Sequence, residues 1–564
     1  MSRVFVHGLL LLGALGGVLR FVPESIVEPR SELAAGAFAS EGAVSSTGPQ
    51  MPRSYVDVSY PAATGQTLWV DASGDLQATL DSARPGDVIE LEAGAVFQGP
   101  FRLPRKGEQG WIVVRTSREA GLPRPGKRVK PAHAALMAAL QSSHGSVLSA
   151  ESGAHHYRFV GVEFRPAPGA ALVNLVELGG PDTAPDDPPH HIVLDRCFLR
   201  GDPARGARRG VALNGRHLAV VDSHLQDFKR TDGDSQAIAG WEGLGPFAIV
   251  NNRLEGAGEN LMFGGGDPRA EGVAPSDIEV RLNHFVKPLS WKPGERGFQG
   301  SAWVVKNLFE LKNARRVLVE GNLFEHNWVG GQNGFAILFT VRNQDGTAPW
   351  SVVEDVTFRN NVVRHAAAGI NLLGRDALPS GRTSRVLVRN NLFEDLGGER
   401  WGGGAGALAM LLEGTAHVVF DHNTAIHTGP ILVAEGQPHE AFVFRNNVVA
   451  QNAYGIVGTG TAPGVHTLDT YFPGAQVLRN VIAGGAPERY PGENFFPASL
   501  EEVGFVSLAA GDYRLRPNSP FGGAATDGHD VGVVFDELLA VLGESAAQHR
   551  LLAPRVHQLR SSRR

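Results

Sequence analysis

The chain has 564 residues, a net charge of −6, 20% charged residues and 71 glycines. This mildly acidic balance argues against a dedicated nucleic-acid binder. The one cysteine, Cys197, excludes an intrachain disulfide. Glycine lies well above its usual share of about 7%, as expected of a chain with many tight corners.

In chain order, residues 1–20 carry Arg3 and an apolar run from Leu9 to Leu19. The run is too short for a comfortable membrane span and fits a secretory signal core. Ala37-Phe38-Ala39 has the small-x-small form of a cleavage site but lies far beyond the run, so a cleaved signal and an uncleaved membrane anchor both stand. Either predicts export: periplasmic, extracellular or membrane-anchored. Residues 21–65, rich in Ala, Gly, Ser, Glu and Pro, read as a linker. Residues 74–94 read as a short helix, a turn and a strand, with Leu76, Leu80 and Ala83 on one helical face and Ser73 as the cap. From there to residue 542 a phrase keeps returning: apolar-x-apolar-x-(Asn/Gly)-Asn-apolar-apolar. Its clearest copies are VLVEGNLF, VTFRNNVV, VLVRNNLF and FVFRNNVV, ending at Phe324, Val363, Phe393 and Val449. The Asn stands at 252, 283, 322, 361, 391, 423, 447 and 480, with spacings of 31, 39, 39, 30, 32, 24 and 33. Residues 512–523 and 530–542 read as a final coil and a closing segment. The basic tail, residues 543–564, reads as solvated and disordered.

Each phrase alternates with period two and is rich in β-branched and aromatic residues, so the unit is a strand and the array is a stack. The recurring Asn has two readings. It can tolerate a left-handed turn. It can also stack on the Asn of the next coil, about 4.8 Å away, donating to one neighbour and accepting from the other. The fixed apolar pair after it favours the stack.

On these phrases, residues 66–542 resemble the right-handed parallel β-helix superfamily, the pectate-lyase-like fold. The resemblance implies an all-β, single-stranded right-handed parallel β-helix, with an N-terminal helix capping the first coil and a closing segment at the C-terminus. Such a stack buries a large core without disulfides, which suits an exported chain. A single elongated domain is expected to be monomeric.

In a parallel coil, outward side chains of successive strands form columns about 5 Å apart, so polar groups distant in sequence converge. The two longest Asn steps flank Asn322, which directs attention to residues 232–371. Four segments there enter strands with polar residues. The first carries Asp232, Asp234 and Gln236. The second carries Glu259, Asn260 and Asp267. The third, WVVKNLFELKN, places Lys306, Glu310 and Lys312 on one side and Phe309 and Leu311 on the other. The fourth carries Gln332 and Asn333. Trp241, Trp291, Trp303 and Trp328 lie in the same stretch, four of the 8 tryptophans.

Carboxylates beside lysines suit polysaccharide β-elimination, in which acidic groups or Ca²⁺ neutralise a uronate and a lysine removes the C5 proton. They also suit glycoside hydrolysis by two carboxylates about 5–9 Å apart. Catalysis is therefore expected from Lys306, Glu310, Lys312, Glu259 and Asp234. Substrate contacts are expected from Trp241, Trp303, Trp328, Gln332, Asn333 and Asn260, and a Ca²⁺ site from Asp232 and Asp267. Residues 309–322 resemble the segment of β-helical alginate and chondroitin lyases in which acidic metal ligands precede a catalytic lysine, which implies Glu310 as ligand and Lys312 as base. The expected function is an exported polysaccharide lyase or glycoside hydrolase acting on an acidic or complex polysaccharide. The other reading is a non-catalytic surface β-helix that binds carbohydrate or mediates adhesion.

Overall fold

The computed structural model describes residues 48–107, 110–402 and 406–543. The signal or anchor segment, the first part of the linker and the basic tail beyond 543 lie outside the described residues. Apart from one antiparallel pair near the C-terminus, the strands fall into three long sheets of 14, 12 and 13 strands. Within each sheet every neighbour is parallel and separated by one turn of the coil, as in the pairing of Ala314–Glu320 with Val353–Arg359. The chain is a parallel β-helix.

The reason lies in the Asn phrase. Three apolar residues of each copy face inward: Val317, Val319 and Phe324 are at most 1% exposed and belong to one continuous core, while Leu323, just after the Asn, faces outward. Phe324 stacks on Phe285 at 4.4 Å between ring centres and lies 5.6 Å from Phe358. The Asn side chains form the hydrogen-bonded stack expected of them. Each backbone N–H and each side-chain amide donates to the carbonyl oxygen of the next Asn: Asn322 donates to Asn361 Oδ1 at 2.9 and 3.0 Å, and Asn361 to Asn391 Oδ1 at 2.9 and 3.0 Å. The amide also donates back into the stack, as from Asn361 to Val319 O at 3.0 Å. Asn494 continues the stack beyond Asn480, and Ser223 begins it by donating its N–H to Asn252 Oδ1. The left-handed turn is present too, one residue earlier. Asn251, Leu282, Gly321, Asn360, Asn390, His422, Asn446 and Arg479 all have φ between 55° and 68°. A left-handed residue turns the corner and the next residue bonds along the stack.

Helix Leu76–Ser82 buries Leu76 and Leu80 in the first coils, as the sequence implies. Its cap is Asp75, whose Oδ1 accepts from the Ala78 N–H at 2.9 Å. Ser73 instead bonds to Asp71. Toward the other end, helix Val465–Tyr471, unforeseen in the sequence, adds Leu468 and Tyr471 to the core beside Phe442 and Phe444. Residues 503–542 lie along the outer face of the 13-stranded sheet, where Val503, Phe505, Phe521, Val531 and Leu538 cover Leu323, Val362, Leu392, Val448 and Val481. The described end of the linker is also laid against the coil. The Gln50 N–H donates to Asp355, the Arg53 N–H to Asp277, and Val58 O and Ser59 O accept from Arg158.

The long Asn steps are loops on either side of the 12-stranded sheet. Residues 287–306 precede strand Asn307–Leu311, and residues 341–352 follow strand Phe335–Thr340. Long loops therefore flank the central strands of that sheet at both ends.

Replacing Asn361 by Ala would leave the Asn322 N–H and its amide without their acceptor, both buried. Such losses cost roughly 1–3 kcal/mol, so Asn361→Ala should lower the urea midpoint clearly, while alanine at the exposed Asn333 should leave it unchanged.

Candidate functional site

Five successive strands of the 12-stranded sheet enter with a polar residue and then bury apolar residues. Register places Asn174, Arg209, Gln236, Glu259 and Asn307 side by side on five successive strands. A second outward column contains Glu177, Ala212, Ala239, Met262, Glu310 and Leu338. Phe309 and Leu311 are fully buried in the core, so Glu310 and Lys312 are left on the outer side, as the alternation implies.

The first column is hydrogen-bonded from Asn174 to Glu259. Arg209 donates to Asn174 Oδ1 at 2.9 Å and to Gln236 Oε1 at 3.1 Å. Gln236 donates to Glu259 Oε2 at 2.7 Å. Lys306 reaches over the column, with Nζ 2.6 Å from Asp234 Oδ2 and 3.6 Å from Glu259 Oε1. One strand further, Glu310 accepts from Asn307 at 3.0 Å and from Thr340 at 3.3 Å, and Lys312 Nζ lies 3.7 Å from Glu310 Oε1. The Asn307 amide also reaches Gln332 Oε1 at 3.4 Å. The Glu259 and Glu310 side chains are 0% and 2% exposed, whereas Lys306 and Lys312 keep 17% and 14%. The carboxylates thus lie beneath the ammonium groups.

Burial penalises the Glu259 carboxylate and raises its pKa, against the opposing pull of Lys306; Asp234 and Glu310 add to the rise. For Lys306, burial acts downward, but Glu259, Asp234 and Glu310 together outweigh it and hold the ammonium protonated. Burial pulls Arg209 down to about 10. Beneath the face, Lys287 is wholly buried, and its ammonium donates within 2.7–3.1 Å of five oxygens: Gly256 O, Ala257 O, Gly258 O, Asn260 Oδ1 and Asn307 O. Burial takes its pKa down to about 7, with Glu259 opposing. Five acceptors favour the charged form, so Lys287 works as an internal cation that braces the two strand entries carrying Glu259 and Asn307.

Of the expected residues, Asp234, Glu259, Lys306, Glu310, Lys312 and Gln332 meet on this face. Trp241 borders it, with the Arg209 guanidinium 4.8 Å from the ring centre. Asn333 is exposed on the neighbouring loop. Asn260 points inward, donating to Leu254 O and Val286 O and accepting from Lys287. Trp328 is buried in a cluster with Trp291 and Val305, and Trp303 packs beside them with Lys229 Nζ 4.9 Å from its ring centre. Asp232 is held through both oxygens by Arg230, at 2.8 and 2.7 Å. Asp267 Oδ2 ties down the loop at Asp345 and Thr347. Among the described residues neither aspartate belongs to a group of three ligands close enough to share a metal. Two oxygens of the polar face lack a hydrogen-bond partner, Glu259 Oε1 and Asn307 Oδ1, and they stand on register-paired residues.

Sequence reasoning missed Arg209, Asn307 and Lys287. Arg209 and Asn307 share a signal with Gln236 and Glu259: a polar residue just before an apolar strand. Lys287 has none, because four of its five partners are backbone carbonyls.

Comparison with solved structures gives distant likenesses. The PL6 family alginate lyase AlyGC aligns with 83% of this chain and 58% of its own, at 16% identity and a TM-score of 0.48. The catalytic unit of a thermostable GH87 α-1,3-glucanase from Streptomyces thermodiastaticus strain HF3-3 aligns over 74% and 68%, at 13% identity and a TM-score of 0.45. An alginate lyase from Paenibacillus sp. str. FPU-7 aligns over 70% and 98%, at 14% identity and a TM-score of 0.32. No family model and no curated protein matches the chain. The fold assignment rests on the strand pairing described above.

Removing the Lys306 ammonium would leave Glu259 buried beside a weaker cationic field. Breaking such a pair costs roughly 2–4 kcal/mol, less than for a fully buried pair because Lys306 keeps some exposure. The sign follows from the raised Glu259 pKa. Below the ordinary carboxylate range, about 4.3, Glu259 is protonated in both folded and unfolded chains and the penalty vanishes. It grows as pH rises through the folded-state value. Thermal melts of Lys306→Ala should therefore fall well below wild type at pH 8 and approach it toward pH 4.5.

Proposed function

We propose that this chain is an exported carbohydrate-active enzyme that cleaves a uronate-containing polysaccharide laid across the outer face of the 12-stranded sheet, by β-elimination. The observation that carries the reading is the pair of lysine–carboxylate contacts on neighbouring coils, Lys306–Glu259 at 3.6 Å and Lys312–Glu310 at 3.7 Å. Elimination requires a cation against the uronate carboxylate, a base for the C5 proton and an acid for the leaving oxygen. Lys306, held protonated by its carboxylate neighbours, is suited to the first task. Lys312 is assigned the second in its neutral form, after its ammonium proton has passed to solvent: the C5–H bond breaks, the proton passes to the free amine, a C4=C5 double bond forms and the C4–O bond breaks. The leaving O4 oxygen takes its proton from solvent, while Glu259, fully buried beneath Lys306, helps hold that ammonium against the substrate. Arg209, lying over Trp241, offers a flat cationic shelf for a neighbouring sugar.

Asn307 Oδ1 has no hydrogen-bond partner, but Glu259 Oε1 beside it already faces the Lys306 ammonium at 3.6 Å, so the reading takes its neutralisation of the uronate from Lys306 and assigns no Ca²⁺ here.

The test is incubation of purified protein with a panel of polyuronates, with Ca²⁺ or with EDTA, followed by ultraviolet absorbance of unsaturated ends and by reducing-end assay. Unsaturated ends are expected. Glu259→Gln and Lys312→Ala should lower their rate of formation at least about 100-fold, with unchanged circular dichroism. Reducing ends without unsaturation would replace elimination by hydrolysis. Tight binding without any product would leave a carbohydrate-binding surface.

A further inference from the structure

Away from the polar face, the 14-stranded sheet carries two histidine doublets on adjacent strands, His155-His156 and His190-His191, followed by Arg216-His217. Register pairs His155 with His190 and His190 with Arg216. The second residue of each doublet is left-handed, with φ of 58° at His156, 54° at His191 and 51° at His217. A left-handed residue breaks the strand's alternation, so both rings of a doublet stay on the same side. The result is a two-by-two block of imidazoles. His155 stacks on His190 at 4.9 Å, His156 on His191 at 4.6 Å, and His217 extends the second column at 4.3 Å from His191. Across the block the Nδ1 atoms face each other, 2.9 Å apart in the first doublet and 2.7 Å in the second. Ring nitrogens of His156, His190 and His191 all lie within 4.8 Å of one another, and all three side chains are partly exposed.

This arrangement is costly as an apolar packing device, since three polar rings converge on one point. It is well suited to a metal. A neutral imidazole is the form that binds metal. The all-nitrogen donor set selects zinc, nickel, copper or cobalt over calcium or magnesium. A tetrahedral zinc with bonds of about 2.0–2.1 Å places its ligand nitrogens about 3.3 Å apart, so the His190–His191 pair, at 2.7 Å, opens slightly and His156 closes on it. His155 is turned by its Nε2 contact with Lys106 O at 3.1 Å and lies against His156, while Trp111 packs edge-on to His156 at 5.2 Å. Arg216 and Asp187 are the charges that act on His190, with opposite sign.

We propose that His156, His190 and His191 form a three-imidazole site for a divalent first-row transition metal, with one coordination position open. The site is independent of the polysaccharide reading.

The experiment uses the full chain without an affinity tag, dialysed against micromolar ZnCl₂, with parallel visible spectra in CoCl₂. One ion per chain is expected, with the absorption of nitrogen-coordinated Co²⁺ and a raised melting temperature. His191→Asn should weaken uptake at least tenfold. The triple variant His156→Asn, His190→Asn, His191→Asn should abolish it, with circular dichroism confirming the fold. If wild type takes up no ion at micromolar zinc, or if the triple variant binds as wild type does, the proposal fails. If the triple variant does not fold, the wild-type spectrum decides: no nitrogen-type cobalt band and no zinc-dependent rise in melting temperature overturn the site.

Discussion

The stack depends on a buried amide that must find its partners along the coil axis. An Asn side chain inside the wall of a β-helix has a carbonyl and an NH₂ group that water cannot reach. The chain supplies those partners from the next coil and from backbone carbonyls already in the wall. Because Asn322 is satisfied only when Asn361 stands directly beside it, and Asn361 only beside Asn391, the register of each coil is set by the one next to it. A slip of one residue would bury the outward side chains and unpair the amides together. The left-handed residue before each Asn makes the corner that brings the amide inward.

Fixed register makes a functional face possible. Side chains separated by 23 to 48 residues come to lie on adjacent strands, and polar strand entries add up to a column. The column from Asn174 to Asn307 buries carboxylates that would be untenable alone. Lys306 and Lys312 cover Glu259 and Glu310 from outside, and Lys287 braces their strand entries from inside. The helix tolerates long excursions because a loop inserted at a corner leaves the strand pairing intact. Residues 287–306 and 341–352 are such excursions, and they lie on the two sides of the polar face.

Much of this was legible in the sequence, for reasons that can be named. The Asn phrase carries both strand period and stack contact, so fold and register follow from one pattern. Asp234, Glu259, Lys306 and Glu310 stand out because charged residues beside buried apolar strands are unusual. Arg209 and Asn307 were hidden because their importance comes from the column, which exists only once the coils are aligned. Trp328 and Asn260 show the opposite failure. Each lies in the right stretch, but its side chain points into the protein, against Val305 and Trp291 in one case and onto Lys287 in the other. Asp232 and Asp267 each found a local partner, Arg230 and the loop at Thr347, which spacing alone does not reveal. The histidine doublets have no metal-site spacing in sequence; the parallel pairing of two strands creates their block.

The central claim is that the outer face of the 12-stranded sheet is where substrate meets the paired lysines and carboxylates. The most direct measurement is a crystal structure of the Glu259→Gln variant soaked with an acidic oligosaccharide. The account predicts a sugar chain crossing that face between residues 287–306 and 341–352, with a uronate carboxylate within hydrogen-bond distance of Lys306 Nζ. An oligosaccharide bound on another sheet, with this face bare, would contradict it.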